Sequence, residues 1–246
     1  MSRAGRAIAT GVVVATVAVL LGGCGFLSPP ERFRDAATLD AVVRTVEIDE
    51  PDGRVTVKGV EGATGIEVAR TVSYRDDRTV GATAEVVDDV LVLSGCGRNC
   101  TIDYTVELPA GVDVRGDTSN GAIRLIGVNE VDVSTSNGAI RLDDVTGAVE
   151  AETSNGRIEG RGLAGAGIRV STSNGGIELR LSAPQDVHAR SSNGAIDLDV
   201  PTGEAGYRVT TDTSNGSVDV DIDEDSDGEF ELDLATSNGS ITVTGR

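Results

Sequence analysis

The tripeptide Ser-Asn-Gly recurs seven times in the C-terminal half of this chain, with its glycines at Gly121, Gly138, Gly156, Gly175, Gly194, Gly216 and Gly239. The intervals between them are 17, 18, 19, 19, 22 and 23 residues. A fixed signature on a drifting period marks a stacked, quasi-one-dimensional fold. Two residues after each glycine stand Ile123, Ile140, Ile158, Ile177, Ile196, Val218 and Ile241. Four residues after it stand Leu125, Leu142, Gly160, Leu179, Leu198, Val220 and Val243. Seven residues before it stand Val114, Val131, Val149, Ile168, Val187, Val209 and Leu232. The positions between these aliphatic columns are mostly polar. Period-two alternation on both sides of the glycine predicts two short strands per repeat, each with one buried face.

Two all-β architectures fit this pattern. In one, Asn-Gly is a type I′ turn and each repeat is an antiparallel β-hairpin. In the other, Asn-Gly is a corner of a parallel β-solenoid (β-helix), and the copies stack about 4.8 Å apart. Alternation alone does not decide. A type I′ turn needs only Asn-Gly, yet Ser precedes it in every copy and Thr precedes that in six of the seven. Stacking of identical residues accounts for the wider identity. Asn120, Asn137, Asn155, Asn174, Asn193, Asn215 and Asn238 would then form an amide ladder. The stretch from seven residues before each glycine to four after it never changes length, so all variation falls in loops on the far side, as in solenoids. The expected fold is a parallel β-solenoid of about seven regular coils, spanning roughly 30 Å. Residues 111–246 form the repeat region. Residues 39–110 carry a looser version, with Val46 and Ile48 before Gly53, Val55 and Val57 after it, and Asp52 in place of Asn. These read as irregular coils or a cap, because terminal repeats are atypical.

The N-terminus reads as an export signal. Arg3 and Arg6 precede an uncharged apolar stretch from Ala7 to Leu21, and Leu21-Gly22-Gly23-Cys24 matches a lipobox. Residues 1–23 are expected to be a lipoprotein signal peptide, Cys24 the lipidated residue, and 24–38 a tether with Pro29 and Pro30. Two acyl chains on one cysteine suffice for stable anchoring. The expected location is the outer face of the bacterial cell membrane. Removing the signal takes away two of 21 basic residues and leaves 19 against 40 acidic ones. Nucleic-acid binding needs a basic footprint, so it is disfavoured.

Cys96 and Cys100 remain, in Cys-Gly-Arg-Asn-Cys between two expected strands. Export permits oxidation, so a local disulfide is expected. No catalytic constellation is evident. His188 is the only histidine and falls on an outward position of a strand, and no nucleophile elbow or phosphate loop is present. Asp223, Asp225 and Asp227 alternate ahead of Gly228 and copy the first half of a calcium loop, while Leu234 stands where a bidentate Glu is required. Weak extracellular calcium binding is the functional expectation there, and a solvated acidic loop the plain one. On the outward face, Arg124, Arg141, Glu159, Glu178, Asp197, Asp219 and Thr242 form one column, with Arg161 and Arg180 placed to pair with Glu159 and Glu178.

The chain resembles a bacterial putative-adhesin domain family of unknown function. The resemblance rests on repeated Ser-Asn-Gly-x-(Ile/Val)-x-(Leu/Val), on Val46–Val57, and on Val106-Glu-Leu-Pro-Ala-Gly-Val-Asp-Val114. It covers roughly residues 40–246 and implies a β-solenoid with no catalytic residues to carry over. The expected function is that of a non-enzymatic envelope lipoprotein contacting cell-wall polymer, glycan or surface protein. Two other classes stay open. One is an envelope-stress component whose acidic surface attracts cationic peptides, or which senses lipids. The other is a carbohydrate-active solenoid enzyme, which would need acidic and basic residues gathered in one groove.

Overall fold

Every described element of this chain is a β-strand, 21 in all. The computed structural model describes residues 30–50, 52–75, 79–203 and 206–246. The expected signal peptide, residues 1–23, and Cys24 lie outside the described residues. The irregular part comprises β1 (Glu31–Leu39), β2 (Thr45–Asp49), β3 (Val55–Val60), β4 (Ile66–Tyr74), β5 (Ala84–Val87), β6 (Val90–Ser94) and β7 (Cys100–Pro109). The first four Ser-Asn-Gly copies give β8 (Asp113–Thr118) with β9 (Ile123–Ile126), β10 (Val131–Thr135) with β11 (Ile140–Asp143), β12 (Val149–Thr153) with β13 (Ile158–Leu163), and β14 (Ile168–Asn174) with β15 (Ile177–Leu181). The last three give β16 (Val187–Asn193) with β17 (Ile196–Val200), β18 (Tyr207–Asn215) with β19 (Val218–Asp221), and β20 (Phe230–Asn238) with β21 (Ile241–Gly245).

The two strands of a repeat do not pair with each other. β9 to β21 of odd number join an 11-stranded sheet, ordered β1-β4-β7-β3-β9-β11-β13-β15-β17-β21-β19. Their even-numbered partners join a 10-stranded sheet, ordered β18-β20-β16-β14-β12-β10-β8-β2-β6-β5. Successive coils pair in parallel and in register, for example Ile140 with Ile158 and Ile158 with Ile177. This is a β-solenoid, and the antiparallel-hairpin alternative is overturned. None of the seven corner Asn-Gly pairs has a positive φ, so the type I′ geometry that hairpins require is absent.

The three aliphatic columns meet between the sheets in one core, where Ile123, Leu125, Ile140, Leu142, Ile158, Ile196 and Ile241 are all buried. The third copy has Gly160 where the others carry Leu or Val. There the chain bulges between Arg161 and Leu163, and the fully buried Leu163 side chain turns in beside Gly160 to fill the gap. The first region belongs to the same stack. β2 lies against β8, and β3 against β9, so residues 39–110 and 111–246 share both sheets and one core.

Coils do not stack in sequence order at either end. β20 and β21, the seventh copy, insert between the fifth copy and the sixth. At the other end β2 and β3 lie inside β6 and β7. The exchange has a physical cause in the core columns. The seventh copy offers Leu232, Leu234, Ile241 and Val243, all fully buried. The sixth offers Val209, Thr211, Val218 and Val220, none of them buried. Placing the more apolar coil inside removes more apolar surface from water and spares the Thr211 hydroxyl from burial. The two longest intervals, 22 and 23 residues, are the ones that lead into and out of the displaced coil.

The N-terminal end is closed by antiparallel strands. β4 covers β7, β1 covers β4, and β5 covers β6. Inside this cap Arg70 forms a two-pronged ion pair with Asp35, both bonds 2.7 Å, and its Nη1 donates to Thr83 Oγ1 and to Gly81 O, each at 2.7 Å. The Tyr104 hydroxyl donates to Ser94 O at 2.7 Å, and burial raises its pKa to about 12. Residues 31–38 of the segment expected as a tether lie in β1. Residues from Glu31 onward alternate Phe33, Asp35, Ala37 and Leu39 toward the cap and form a full strand.

Candidate functional site

At six of the seven corners three of the four residues have work inside the stack. In six coils the threonine or serine three residues before the glycine donates its hydroxyl to the corner glycine carbonyl of a neighbouring coil, whereas the buried Thr118 hydroxyl of the first copy has no partner. Thr135 bonds Gly121 O, Thr153 bonds Gly138 O and Thr172 bonds Gly156 O, each at 3.0 Å. Ser191, Thr236 and Thr213 continue the series onto Gly175, Gly194 and Gly239. The glycine itself is needed for clearance. A Cβ on Gly138, Gly156, Gly175 or Gly194 would overlap the carbonyl of the glycine in the coil beneath.

The asparagines form the expected ladder, closed over its whole length. Each Nδ2 donates to the Oδ1 of the preceding coil at 2.9–3.1 Å, from Asn137 on Asn120 through Asn155, Asn174, Asn193 and Asn238 to Asn215. At the N-terminal end Asn120 donates to Asp52 Oδ1 at 2.6 Å. A ladder that donates in one direction ends well on a carboxylate, which only accepts. This explains Asp in place of Asn in that copy.

Serine is the exception. Ser119, Ser136, Ser154, Ser173, Ser192, Ser214 and Ser237 are all exposed, and among the described residues no hydrogen bond engages their hydroxyls. They line one edge of the rod, one per coil, at the roughly 4.8 Å strand spacing. Beside them the 10-stranded sheet carries an open polar trough of about 360 Å3, bordered by Glu152, Ser171, Arg190 and Asp212.

The other sequence-predicted residues are dispersed. Cys96 and Cys100 are disulfide-bonded, with Cα atoms 5.6 Å apart, at the corner of the β6/β7 coil. This coil lies beyond the Asp52 end of the ladder, so the covalent clasp stands where amide bonds run out. His188 Nδ1 lies 3.5 Å from Asp233 Oδ2, and Arg190 donates to the same carboxylate. The arginine holds the Asp233 pKa below the usual range. Among the described residues no serine oxygen is bonded to His188. Asp223 and Asp227 are exposed and Asp225 is turned into a local backbone contact. Among the described residues no group of three acidic, His or Cys side chains converges for a metal. Asp225 instead accepts the Asp227 amide at 2.9 Å and its backbone N–H bonds Tyr207 O. The loop is a turn stabilised by its own aspartate.

The outward column of the 11-stranded sheet is better balanced than sequence order suggests. Glu159 is held by Arg141 at 2.9 Å and Arg157 at 3.2 Å, which lowers its pKa. Glu178 meets Arg180 at 3.2 Å and Arg161 at 3.8 Å. Asp197 and Asp219 are not neighbours, because Thr242 of the inserted coil lies between them.

One buried acid escaped the sequence reading. Glu50 is 1% exposed, in the column that the corner threonines occupy in the other coils. Its Oε1 accepts the Asp52 amide at 3.2 Å and the Ile102 amide at 3.4 Å, while Oε2 has no partner. Burial raises its pKa from 4.5 to about 7, against the pull of those two amides. Its position three residues before Gly53 was the signal available in the sequence.

Comparison with curated protein sequences gives no match. Among solved structures, a putative cell adhesion protein from Clostridium sporogenes is 13% identical, covering 88% of this chain and 100% of its own, with a TM-score of 0.39. A putative adhesin from Bacteroides fragilis is 14% identical, covering 87% and 97%, with a TM-score of 0.39. Another from Parabacteroides distasonis is 13% identical, covering 85% and 96%, with a TM-score of 0.45. A family profile described as Toastrack DUF4097 matches residues 38–245, which takes in all the Ser-Asn-Gly coils and the irregular first ones. By that match over most of its length, the chain belongs to the Toastrack DUF4097 family.

Proposed function

We propose that this protein is a non-catalytic, lipid-anchored component of the bacterial cell envelope that binds an extended polymer, a cell-wall glycan being the leading class, along its serine edge. The observation that carries the reading is the row of seven exposed serine hydroxyls with no partner among the described residues, fixed at coil spacing by the amide ladder beneath them. A rigid array that repeats one group per coil suits a ligand that also repeats. Its polar contacts would be individually weak and collectively useful. Lipidation at Cys24 would place the capped end of the rod toward the membrane. The dispersed charges and the unactivated His188 favour binding over catalysis.

The test uses the chain from Pro30 onward with purified peptidoglycan and soluble glycan chains of increasing length. The expected result is saturable binding that strengthens with chain length and falls at least tenfold when Ser154, Ser173 and Ser192 are all replaced by Leu. The corresponding Cys24→Ala chain, expressed whole, should leave the membrane fraction. Equal binding by the triple variant would contradict the serine edge as the docking surface, and unchanged membrane partitioning would contradict the anchor.

A further inference from the structure

The two ends of the rod are finished differently. At the N-terminal end β5, β4 and β1 cover the outermost coil. At the C-terminal end the outermost coil is β18 and β19, each the last strand of its sheet. β19 pairs only with β21. β18 pairs only with β20, apart from one bridge between Tyr207 and Glu224. The free backbone edge of β19 is therefore available for one more strand. The core columns are also open there. Val218 is 44% exposed, one of three large hydrophobic residues so exposed among those described, and Val220 is half-buried. In every inner coil from β9 to β17, and in β21, the residue in the Val218 column is buried.

Charge decides what can settle on this edge. β19 reads Val-Asp-Val-Asp, with Asp219 and Asp221 both exposed on its outer side. Asp223, Glu224 and Asp225 follow directly and are exposed as well. A second copy meeting this end with the same end would set aspartates against aspartates, which is the usual way natural edges refuse self-pairing. A strand that alternates apolar and cationic residues meets none of that penalty. Its apolar side chains would cover Val218 and Val220, its cations would face Asp219 and Asp221, and its backbone would complete the ladder. We infer that the C-terminal end of the solenoid is a β-augmentation site for an extended cationic polypeptide segment, which adds as a further strand beside β19. This site is at the end of the rod and is independent of the serine edge.

The experiment titrates the whole chain with a labelled ten-residue peptide of alternating valine and lysine. Two further peptides serve as comparisons, one with glutamate for lysine and one with the same charge but two central valines replaced by proline. Fluorescence anisotropy reads affinity, and hydrogen exchange reads the location. The expected result is one-to-one binding of the lysine peptide and protection gained at residues 218–221. Affinity should fall at least tenfold in the proline peptide and in the Asp219→Asn, Asp221→Asn double variant, and the glutamate peptide should not bind. Both substitutions are at exposed positions, and an unchanged melting temperature shows that the variant still folds. Equal binding by the proline peptide would reduce the effect to charge attraction and overturn the proposal. So would protection confined to other strands, absence of binding, or an edge already occupied by a second copy in solution.

Discussion

Ile177→Asp is expected to unfold the middle of the rod rather than one coil. Ile177 is 1% exposed, sits in register between Ile158 and Ile196, and has three parallel strands of its sheet on one side and five on the other. Truncating a buried isoleucine alone costs about 2–5 kcal/mol. An unpaired carboxylate in the same place adds several kcal/mol. The sum approaches the whole stability of an ordinary domain, about 5–15 kcal/mol. Each coil is stabilised by its two neighbours, so loss of one removes an interface from both. Hydrogen exchange on the variant should show protection lost from β12 through β17 together. Loss restricted to β15, with its neighbours still protected, would mean that coils are not coupled.

The N-terminal part of the stack should lose stability as pH rises. Glu50 has its pKa raised to about 7 by burial, with the charges of Asp52 and Asp49 adding to the rise. In the unfolded chain it titrates near 4.5. Below that pH both forms hold the proton, and the contribution to stability is fully present. Between about 4.5 and 7 only the unfolded form gives the proton up, so folding becomes less favourable by about 1.4 kcal/mol per pH unit. The total loss is about 3 kcal/mol once the pH exceeds the folded pKa. Glu159 and Asp233, whose pKa values arginines lower, change in the opposite sense and below this window. Urea midpoints at pH 5 and pH 8 should therefore differ, with the acidic sample the more stable, and Glu50→Gln should remove most of the difference. An equal pH slope in the variant would assign the effect elsewhere.

Much of this architecture was written in the repeat. Columns of Ile and Leu at fixed offsets specify strands with one buried face, and the wider identity of Thr-Ser-Asn-Gly specifies stacking. The roles of Asn and Thr follow from stacking alone, since a side chain above its own copy can bond to it. Coil order was harder to read. A stack of near-identical units has the same local pattern whichever unit lies on top, so only differences between copies hold the information. Thr211 in a core column and the long intervals around the sixth copy were those differences. The cap was illegible for another reason. Arg70, Asp35 and Tyr104 come together across 35 and 69 residues of chain, and no repeat pattern announces the meeting. The three loop aspartates share the alternation of a cation loop, and the one contact of theirs that the fold uses, Asp225 on the Asp227 amide, is a local turn bond that no sequence spacing specifies. The serine row was visible from the start, yet its lack of a partner among the described residues becomes evident only when the neighbouring corner side chains have been followed to theirs.

The central claim is a parallel solenoid whose seventh coil lies between the fifth and the sixth. Two double-cysteine variants in a Cys24→Ser background test it most directly. Asp197 and Thr242 are register partners on adjacent strands, whereas Asp197 and Asp219 are separated by a whole strand, roughly 10 Å at the usual spacing. Mild oxidation should close a disulfide within the Asp197→Cys, Thr242→Cys chain and leave the Asp197→Cys, Asp219→Cys chain reduced. Closure of the second pair and not the first would mean that the coils stack in the order of the sequence, and closure of neither would contradict the solenoid itself.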